Sequence, residues 1–117
     1  MAKFLTDLIV ECVTDDKWRL VENLVYESDI AGTITVHSGF ETDFASVPRV
    51  PIIYMLVGDK AHLPSVIHDF LYRHATVSRK TADQVFLEAM KVCGLWAWRR
   101  YPMYWGVRLF GGACYHG

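Results

Sequence analysis

Three polar side chains close together in the second half of the chain are of types that can bind and move protons. His68 and Asp69 are adjacent, and Tyr72 follows four residues after His68. On a helix, residues four apart share a face, so we expect His68 and Tyr72 to point together, with Asp69 about 100° away. The imidazole can then act as a base while the neighbouring carboxylate holds a cation or a water.

A fourth residue, Asp83, can join this group if its helix packs antiparallel against the helix that carries His68. Its carboxylate would then accept a hydrogen bond from the imidazole, orient the ring and fix its tautomer, as supporting carboxylates commonly do. The predicted catalytic residues are therefore His68, Asp83 and Tyr72.

Two carboxylates are the predicted ligands of a divalent cation. Asp69 is one, and Asp43, in an unusual loop ahead of these helices, is the other. Oxygen ligands suit Ca²⁺ or Mg²⁺, whereas a site that also recruited His68 would favour Zn²⁺. The sequence indicates no binding site for any other cofactor.

Each of these residues also has an ordinary structural explanation, which the sequence leaves open. A His next to an Asp is often a hydrogen-bonded pair at the edge of an amphipathic helix. Asp83 can favour the dipole of its own helix, and Asp43 can be a turn residue that bonds its own backbone. Tyr72 can be a packed ring with its hydroxyl at the surface.

Two predicted helices must position the catalytic residues. The first covers roughly residues 66–74, with Ser65 as its N-cap and an apolar face at Ile67, Phe70 and Leu71. The second begins at the cap Ser78 and ends at Gly94, which stands where a C-terminal glycine belongs. Its apolar residues follow helical spacing at Ala82, Val85, Phe86, Ala89, Met90 and Cys93.

Strands are predicted before these helices, and an aromatic segment follows them. Apolar or alternating runs at residues 8–13, 18–26 and 33–37 favour a three-stranded antiparallel meander. Ser46 and Pro48 suggest a short helical turn after it. In the last segment Arg99, Arg100 and Arg108 alternate with aromatic rings, and Pro102 is expected to break or kink a helix.

The predicted fold is therefore α+β, an N-terminal antiparallel β-meander followed by three or four packed helices. We expect one domain over residues 1–117, divided into a meander at 1–38, a loop with a short helix at 39–63 and a helical part at 64–117. A chain of 117 residues that is 52% hydrophobic and 21% charged is suited to one folded core.

Charge and cysteine content exclude several functional classes. A net charge of −1 gives no basic excess for binding nucleic acid. The three cysteines form no CxxC pair, which favours reduced thiols in a reducing compartment. Neither a signal peptide nor an apolar run of membrane-spanning length is present, so we expect a protein that is soluble when made.

Three ordered motifs resemble a phage and prophage family known as domain of unknown function 1353. They are a Gly-Phe-x-Thr-Asp-Phe-Ala-Ser-Val-Pro-Arg loop at 39–49, His-Asp-x-Leu-Tyr at 68–72 and Ser-Arg-x-x-Ala-Asp-x-x-Phe-x-x-Ala-Met at 78–90. The resemblance implies a protein of a bacterial virus or prophage, encoded near virion and tail genes. Other virion proteins are then the expected partners, and the virion or the host cytoplasm the expected location.

A second, weaker similarity is to the phospholipase A2 superfamily, whose helix carries His-Asp-x-x-Tyr and whose next helix carries an Asp. It implies that His68 activates water, that Asp69 binds calcium and that Asp83 supports His68. The glycine-rich calcium loop and the flanking half-cystines of that superfamily are absent here.

We therefore expect a virion-associated protein of a tail, baseplate or neck, with a metal-dependent hydrolase-like His-Asp site. One alternative is a free phage hydrolase that acts on the lipid or peptidoglycan of the host envelope. Another is a non-catalytic module that binds a host protein.

Overall fold

The computed structural model describes residues 1–14, 17–42 and 62–115. In these residues, strands are followed by helices. The strands are β1 (Lys3–Phe4), β2 (Val10–Thr14), β3 (Lys17–Leu20), β4 (Leu24–Ser28), β5 (Gly32–Val36) and β6 (Glu41–Thr42). The helices are α1 (His62–His74), α2 (Arg79–Val92) and α3 (Ala97–Phe110), followed by a 3-10 turn at Gly111–Cys114. The predicted α+β class is confirmed, while most of the predicted middle segment lies outside the described residues.

The strands form two small antiparallel sheets rather than one three-stranded meander. One sheet has the order β1-β4-β5 and the other β2-β3-β6. The predicted strand over residues 18–26 is interrupted between Leu20 and Leu24, so β3 and β4 pair with different partners. Before the interruption, β3 pairs with β6, with Trp18 opposite Thr42. Alternation along one strand predicts its buried face but not its neighbour, which explains the error.

One face of the β1-β4-β5 sheet packs against the helices and forms the core with them. Leu24 and Tyr26 of β4 and Val36 of β5 are fully buried, and they alternate with more exposed neighbours. They belong to one cluster with apolar residues of all three helices, such as Ile67 and Phe86. The core therefore holds the helices on the sheet and fixes their relative positions.

Helix α1 begins earlier than the sequence suggests, so the predicted N-cap at Ser65 is wrong. The helix already includes His62, and Ser65 is a fully buried residue within it. Pro64 lies in the first turn, where a missing backbone N–H removes no helical hydrogen bond. After the helix, Ala75 adopts a left-handed conformation with φ 51° and donates its N–H to the Leu71 carbonyl at 2.9 Å.

Both predicted ends of α2 are confirmed. The Ser78 hydroxyl accepts a hydrogen bond from the Thr81 N–H at 3.1 Å, as an N-cap does. At the other end Gly94 has φ 85°, and the Leu95 N–H bonds the Met90 carbonyl at 3.0 Å. This is the Schellman arrangement, which ends a helix and turns the chain.

Helix α3 continues through Pro102, so the predicted break does not occur. Proline cannot donate to the carbonyl four residues earlier, which here belongs to Trp98. Pro102 lies on the exposed side of the helix, while Met103 and Val107 are buried on the other side. Packing of that inner side offsets the lost hydrogen bond and holds the helix in place.

Candidate active site

Helix α1 places His68 and Tyr72 on its buried face, as the four-residue spacing predicts. The imidazole and phenol rings have centroids 4.0 Å apart, and the side chains are only 2% and 3% exposed. Phe86 of α2 also contacts the imidazole, with centroids 4.6 Å apart. The His68 ring is therefore packed against two aromatic rings.

Asp83 of α2 lies at the centre of the site and is fully buried. Its Oδ1 is 2.7 Å from His68 Nε2 and accepts the Tyr72 hydroxyl at 2.5 Å. Its Oδ2 accepts a hydrogen bond from Arg108 of α3 at 2.9 Å. The predicted contact between the helices of His68 and Asp83 is confirmed, and one carboxylate joins all three helices.

The surroundings of Asp83 keep its carboxylate ionised. Burial is the largest influence and raises the pKa, but hydrogen bonds from His68, Tyr72 and Arg108 together outweigh it. The pKa of Asp83 therefore lies below its ordinary value of 3.8. An ionised acceptor beside Nε2 favours the tautomer that carries a proton on that nitrogen.

Tyr72 keeps its hydroxyl proton, because burial and its hydrogen bond to Asp83 raise its pKa well above the ordinary value. The same oxygen accepts a hydrogen bond from Arg79 Nε at 3.2 Å. Arg79 also donates to the carbonyls of Val107 and Arg108 at 2.7 and 2.6 Å. A guanidinium in the first turn of α2 thus satisfies carbonyls in the last turn of α3.

A family model described as "Protein of unknown function (DUF1353)" matches residues 18–107 of this chain. The chain belongs to the DUF1353 family. No curated protein and no solved structure matches it. The matched region contains His68, Tyr72, Arg79 and Asp83, whereas Arg108 lies one residue beyond its end.

Two arginines of the site were missed by sequence reasoning. Arg79 occupies the second position of the Ser-Arg-x-x-Ala-Asp motif of the DUF1353 pattern, and that position was the available signal. Arg108 is 25 residues from Asp83 and lies among aromatic residues that suggested an interface. No local pattern could have paired it with an acid on another helix.

Asp69, one of the two predicted cation ligands, lies outside the hydrogen-bonded cluster of His68, Tyr72, Asp83 and Arg108. Asp69 is 17% exposed and pairs with Arg73 at 3.5 Å, one turn further along α1. Arg73 also donates to the Glu41 carbonyl at 2.7 Å, which links α1 to β6. Asp43 lies outside the described residues.

Within residues 1–14, 17–42 and 62–115, no three His, Cys, Asp or Glu side chains form a group suited to a metal ion. The described residues therefore do not make a metal centre by themselves, and the cation site at Asp43 and Asp69 stays a prediction. In the same part of the chain no helix is both long and apolar enough to cross a bilayer.

Proposed function

We propose that this member of the DUF1353 family is a hydrolase in which His68 is the general base and Asp83 its positioning residue. The observation that carries the proposal is the 2.7 Å contact between His68 Nε2 and a fully buried, ionised Asp83. An imidazole held by a carboxylate in this way recurs in enzymes that activate water or a hydroxyl group.

The proposed reaction is the hydrolysis of an ester. The His68 imidazole takes a proton from a water molecule as the water oxygen attacks the ester carbon. The ester C–O bond then breaks, and the leaving oxygen takes that proton back from the imidazole, which restores the base. Asp83 stabilises the transient imidazolium through the hydrogen bond from Nε2 and stays ionised throughout.

Arg108 and Tyr72 are proposed to hold Asp83 in place. With donors on both of its oxygens, the carboxylate cannot rotate away from the imidazole. Tyr72 adds no second negative charge beside the Asp83 carboxylate, because its phenol stays protonated. The acid is thus oriented before any substrate arrives, and this kind of preorganisation benefits catalysis.

The biological setting is proposed as a phage particle, with the protein associated with a tail, baseplate or neck and its substrate in the host envelope. The His-Asp-x-Leu-Tyr and Ser-Arg-x-x-Ala-Asp motifs support this setting through their resemblance to phage and prophage sequences. A stoichiometric amount of the chain in purified particles is the expected finding. Its absence from particles would instead favour a free phage hydrolase.

We also propose that Asp43 and Asp69 bind a divalent cation. Metal-free protein is expected to unfold at a higher temperature after addition of Ca²⁺, Mg²⁺ or Zn²⁺, because an ion that binds only the folded state stabilises it. The variants Asp43→Asn and Asp69→Asn should lose this shift. If none of the three ions shifts unfolding of the unaltered chain, the cation is not part of the site.

The decisive test of catalysis is His68→Ala, assayed with ester substrates, phospholipid vesicles and peptidoglycan. We expect a loss of roughly 100-fold or more in kcat/KM, the usual range for a lost general base. His74→Ala is the matched control, because His74 is an exposed histidine of the same helix and should leave activity unchanged.

A misfolded variant must be distinguished from an inactive one. Added imidazole should restore part of the activity of His68→Ala, since it can occupy the space left by the side chain. Rescue together with an unchanged circular dichroism spectrum would support the base. Loss of activity without rescue, in a protein that stays folded, would count against it.

A second candidate, a non-catalytic virion or host-binding module, is favoured by the deep burial of the same residues. His68 is 2% exposed and Asp83 is 0% exposed, as in a polar network that only holds helices together. In that case His68→Ala and Asp83→Asn would lower stability and leave binding to the partner intact. Full retention of every measured function in the folded His68→Ala protein would establish this candidate.

A further inference from the structure

One side of α3 carries a continuous exposed apolar surface. We call it the aromatic face; it consists of Trp98, Tyr101, Pro102, Trp105 and Leu109. Their spacing puts them within about 100° of one another around the helix axis. The two Trp side chains are each 56% exposed, Tyr101 is 44% exposed and Leu109 is 70% exposed. Large rings are rarely left in water in such a row, so this surface is suited to a partner.

We propose that the aromatic face docks α3 flat on the headgroup region of a negatively charged phospholipid bilayer. The helix has 14 residues, which correspond to about 21 Å, so it is too short to cross a hydrocarbon core of about 30 Å. Trp and Tyr favour the membrane–water interface, because their rings are apolar and each carries one polar group. A helix with such a face lies in the interfacial plane.

Charge favours lipid as the occupant. No acidic residue follows Glu88, whereas Lys91, Arg99 and Arg100 are basic and Arg108, also basic, pairs with Asp83. The remaining eight basic residues accompany all thirteen acidic ones in the first 88 positions. The segment of the sequence that carries the aromatic face is therefore net positive, and the segment before it is net negative. A net-positive segment favours contact between α3 and an anionic surface.

Two arginines border the aromatic face and are held by its rings. The Arg99 guanidinium lies 4.8 Å from the centre of the Trp98 ring, and that of Arg100 lies 5.3 Å from the Tyr101 ring. Cations stacked beside interfacial rings are well placed to meet lipid phosphates while the rings enter the headgroup layer.

The backbone at Pro102 is also suited to the headgroup region of the bilayer. Pro102 has no N–H, so the Trp98 carbonyl lacks its helical donor four residues on. An unpaired carbonyl is costly in hydrocarbon but can be hydrated among headgroups. A protein partner would be expected to meet a surface with about one hydrogen bond per 100–200 Å². Apart from the tips of its rings, the aromatic face offers few side-chain groups for such bonds.

The test is flotation of the full chain with vesicles of phosphatidylglycerol and phosphatidylcholine in equal parts. We expect binding that falls by an order of magnitude with pure phosphatidylcholine, because the electrostatic attraction is lost. Trp98→Ala and Trp105→Ala should each weaken binding roughly tenfold, since each removes a large apolar side chain that would be buried in the headgroup region on binding. His68→Ala should bind as well as the unaltered chain, which separates docking from catalysis.

Leu109→Ala and Leu5→Ala form a matched pair of controls. Both residues are exposed leucines, at 70% and 49%, but Leu5 lies in the N-terminal part of the chain. Leu109→Ala should reduce vesicle binding and Leu5→Ala should not. Equal effects of the two variants, or no flotation of the unaltered chain, would overturn the proposal. A homodimer that Trp105→Ala dissociates, or capture of the face by another virion protein, would also overturn it.

Discussion

Helix α2 carries two carboxylates that fasten it to opposite parts of the molecule. Asp83 accepts hydrogen bonds from His68, Tyr72 and Arg108, and so joins α2 to the other two helices. Glu88 accepts hydrogen bonds from the Tyr26 and Ser28 hydroxyls, both at 2.7 Å, and from the backbone N–H of Asp29 at 3.2 Å. It therefore joins α2 to β4 and the turn that follows.

The difference between the two clusters lies in the partners, not in the carboxylate. Burial and a carboxylate neighbour raise the pKa of Tyr26 and of Tyr72 alike, so both phenols stay protonated and donate to that carboxylate. Only Asp83 also has an imidazole and a guanidinium. The helical side of α2 thus has the groups needed for proton transfer, whereas the sheet side has groups suited to holding structure.

The largest expected effect separates these two clusters directly. Asp83→Asn should lower the free energy of unfolding by about 3 kcal/mol, because it leaves Arg108 without its ion-pair partner and sets an amide N–H₂ against donors. Glu88→Gln should cost about 1 kcal/mol, since its partners are neutral and the site is less buried. Urea unfolding at pH 7 measures both.

Equal losses in the free energy of unfolding for Asp83→Asn and Glu88→Gln would mean that the two clusters contribute alike to stability. In that case the charge of Arg108 would contribute nothing at Asp83. The double variant Asp83→Asn with Arg108→Met provides the control, because it removes both charges. It should recover part of the stability that Asp83→Asn loses.

Lowering the pH should reduce the stabilisation that Asp83 provides, and with it the difference between the two clusters. Because the pKa of Asp83 is lower in the folded protein than its ordinary 3.8, this residue stabilises the fold above that pH. That stability is lost as the pH falls from 3.8 through the folded-state pKa. The deficit of Asp83→Asn relative to the unaltered chain should therefore shrink as the pH is lowered in that window. Unfolding curves at closely spaced acidic pH values measure it, and a constant deficit would contradict the shift.

A methyl group added beside Tyr72 should disturb the helical cluster without changing any charge. A Cβ on Gly111 would lie 3.1 Å from the Tyr72 hydroxyl oxygen, which Asp83 and Arg79 hold in place. We expect Gly111→Ala to cost about 1 kcal/mol through this crowding. At Gly112 the nearest atoms are those of the Arg79 guanidinium at 3.6 Å, so Gly112→Ala should be nearly neutral. Thermal unfolding compares the two, and similar losses would show that Tyr72 can move freely.

The smallest effect is expected at Asp69, the other acid of the His-Asp pair. Its partner Arg73 is 43% exposed and 3.5 Å away. In the absence of a cation, the coupling energy of this pair, from a double-mutant cycle of Asp69→Asn and Arg73→Gln, should therefore be less than about 0.5 kcal/mol. Urea unfolding of the metal-free protein checks this. A coupling as large as that between Asp83 and Arg108 would contradict the prediction.

The sequence predicts the parts of this site that depend on local spacing. Four-residue spacing put His68 and Tyr72 on one face, and capping residues bounded α2 correctly. Asp83 was within reach of prediction because a short connection makes two consecutive helices pack together. Arg108 was not, because its contact depends on how α3 returns across α2. The pairing of β3 with β6 was missed for the same reason, since alternation carries no information about distant partners.

The position of Arg108 on α3 affects the order in which the three helices can be joined. Because α1 and α2 are consecutive, His68, Tyr72 and Asp83 can meet before α3 docks. Until α3 docks, the Asp83 carboxylate has no guanidinium to balance it, and Arg79 lacks the α3 carbonyls to which it donates. A folding intermediate with α3 undocked would thus be looser than the native protein, and proteases could distinguish the two.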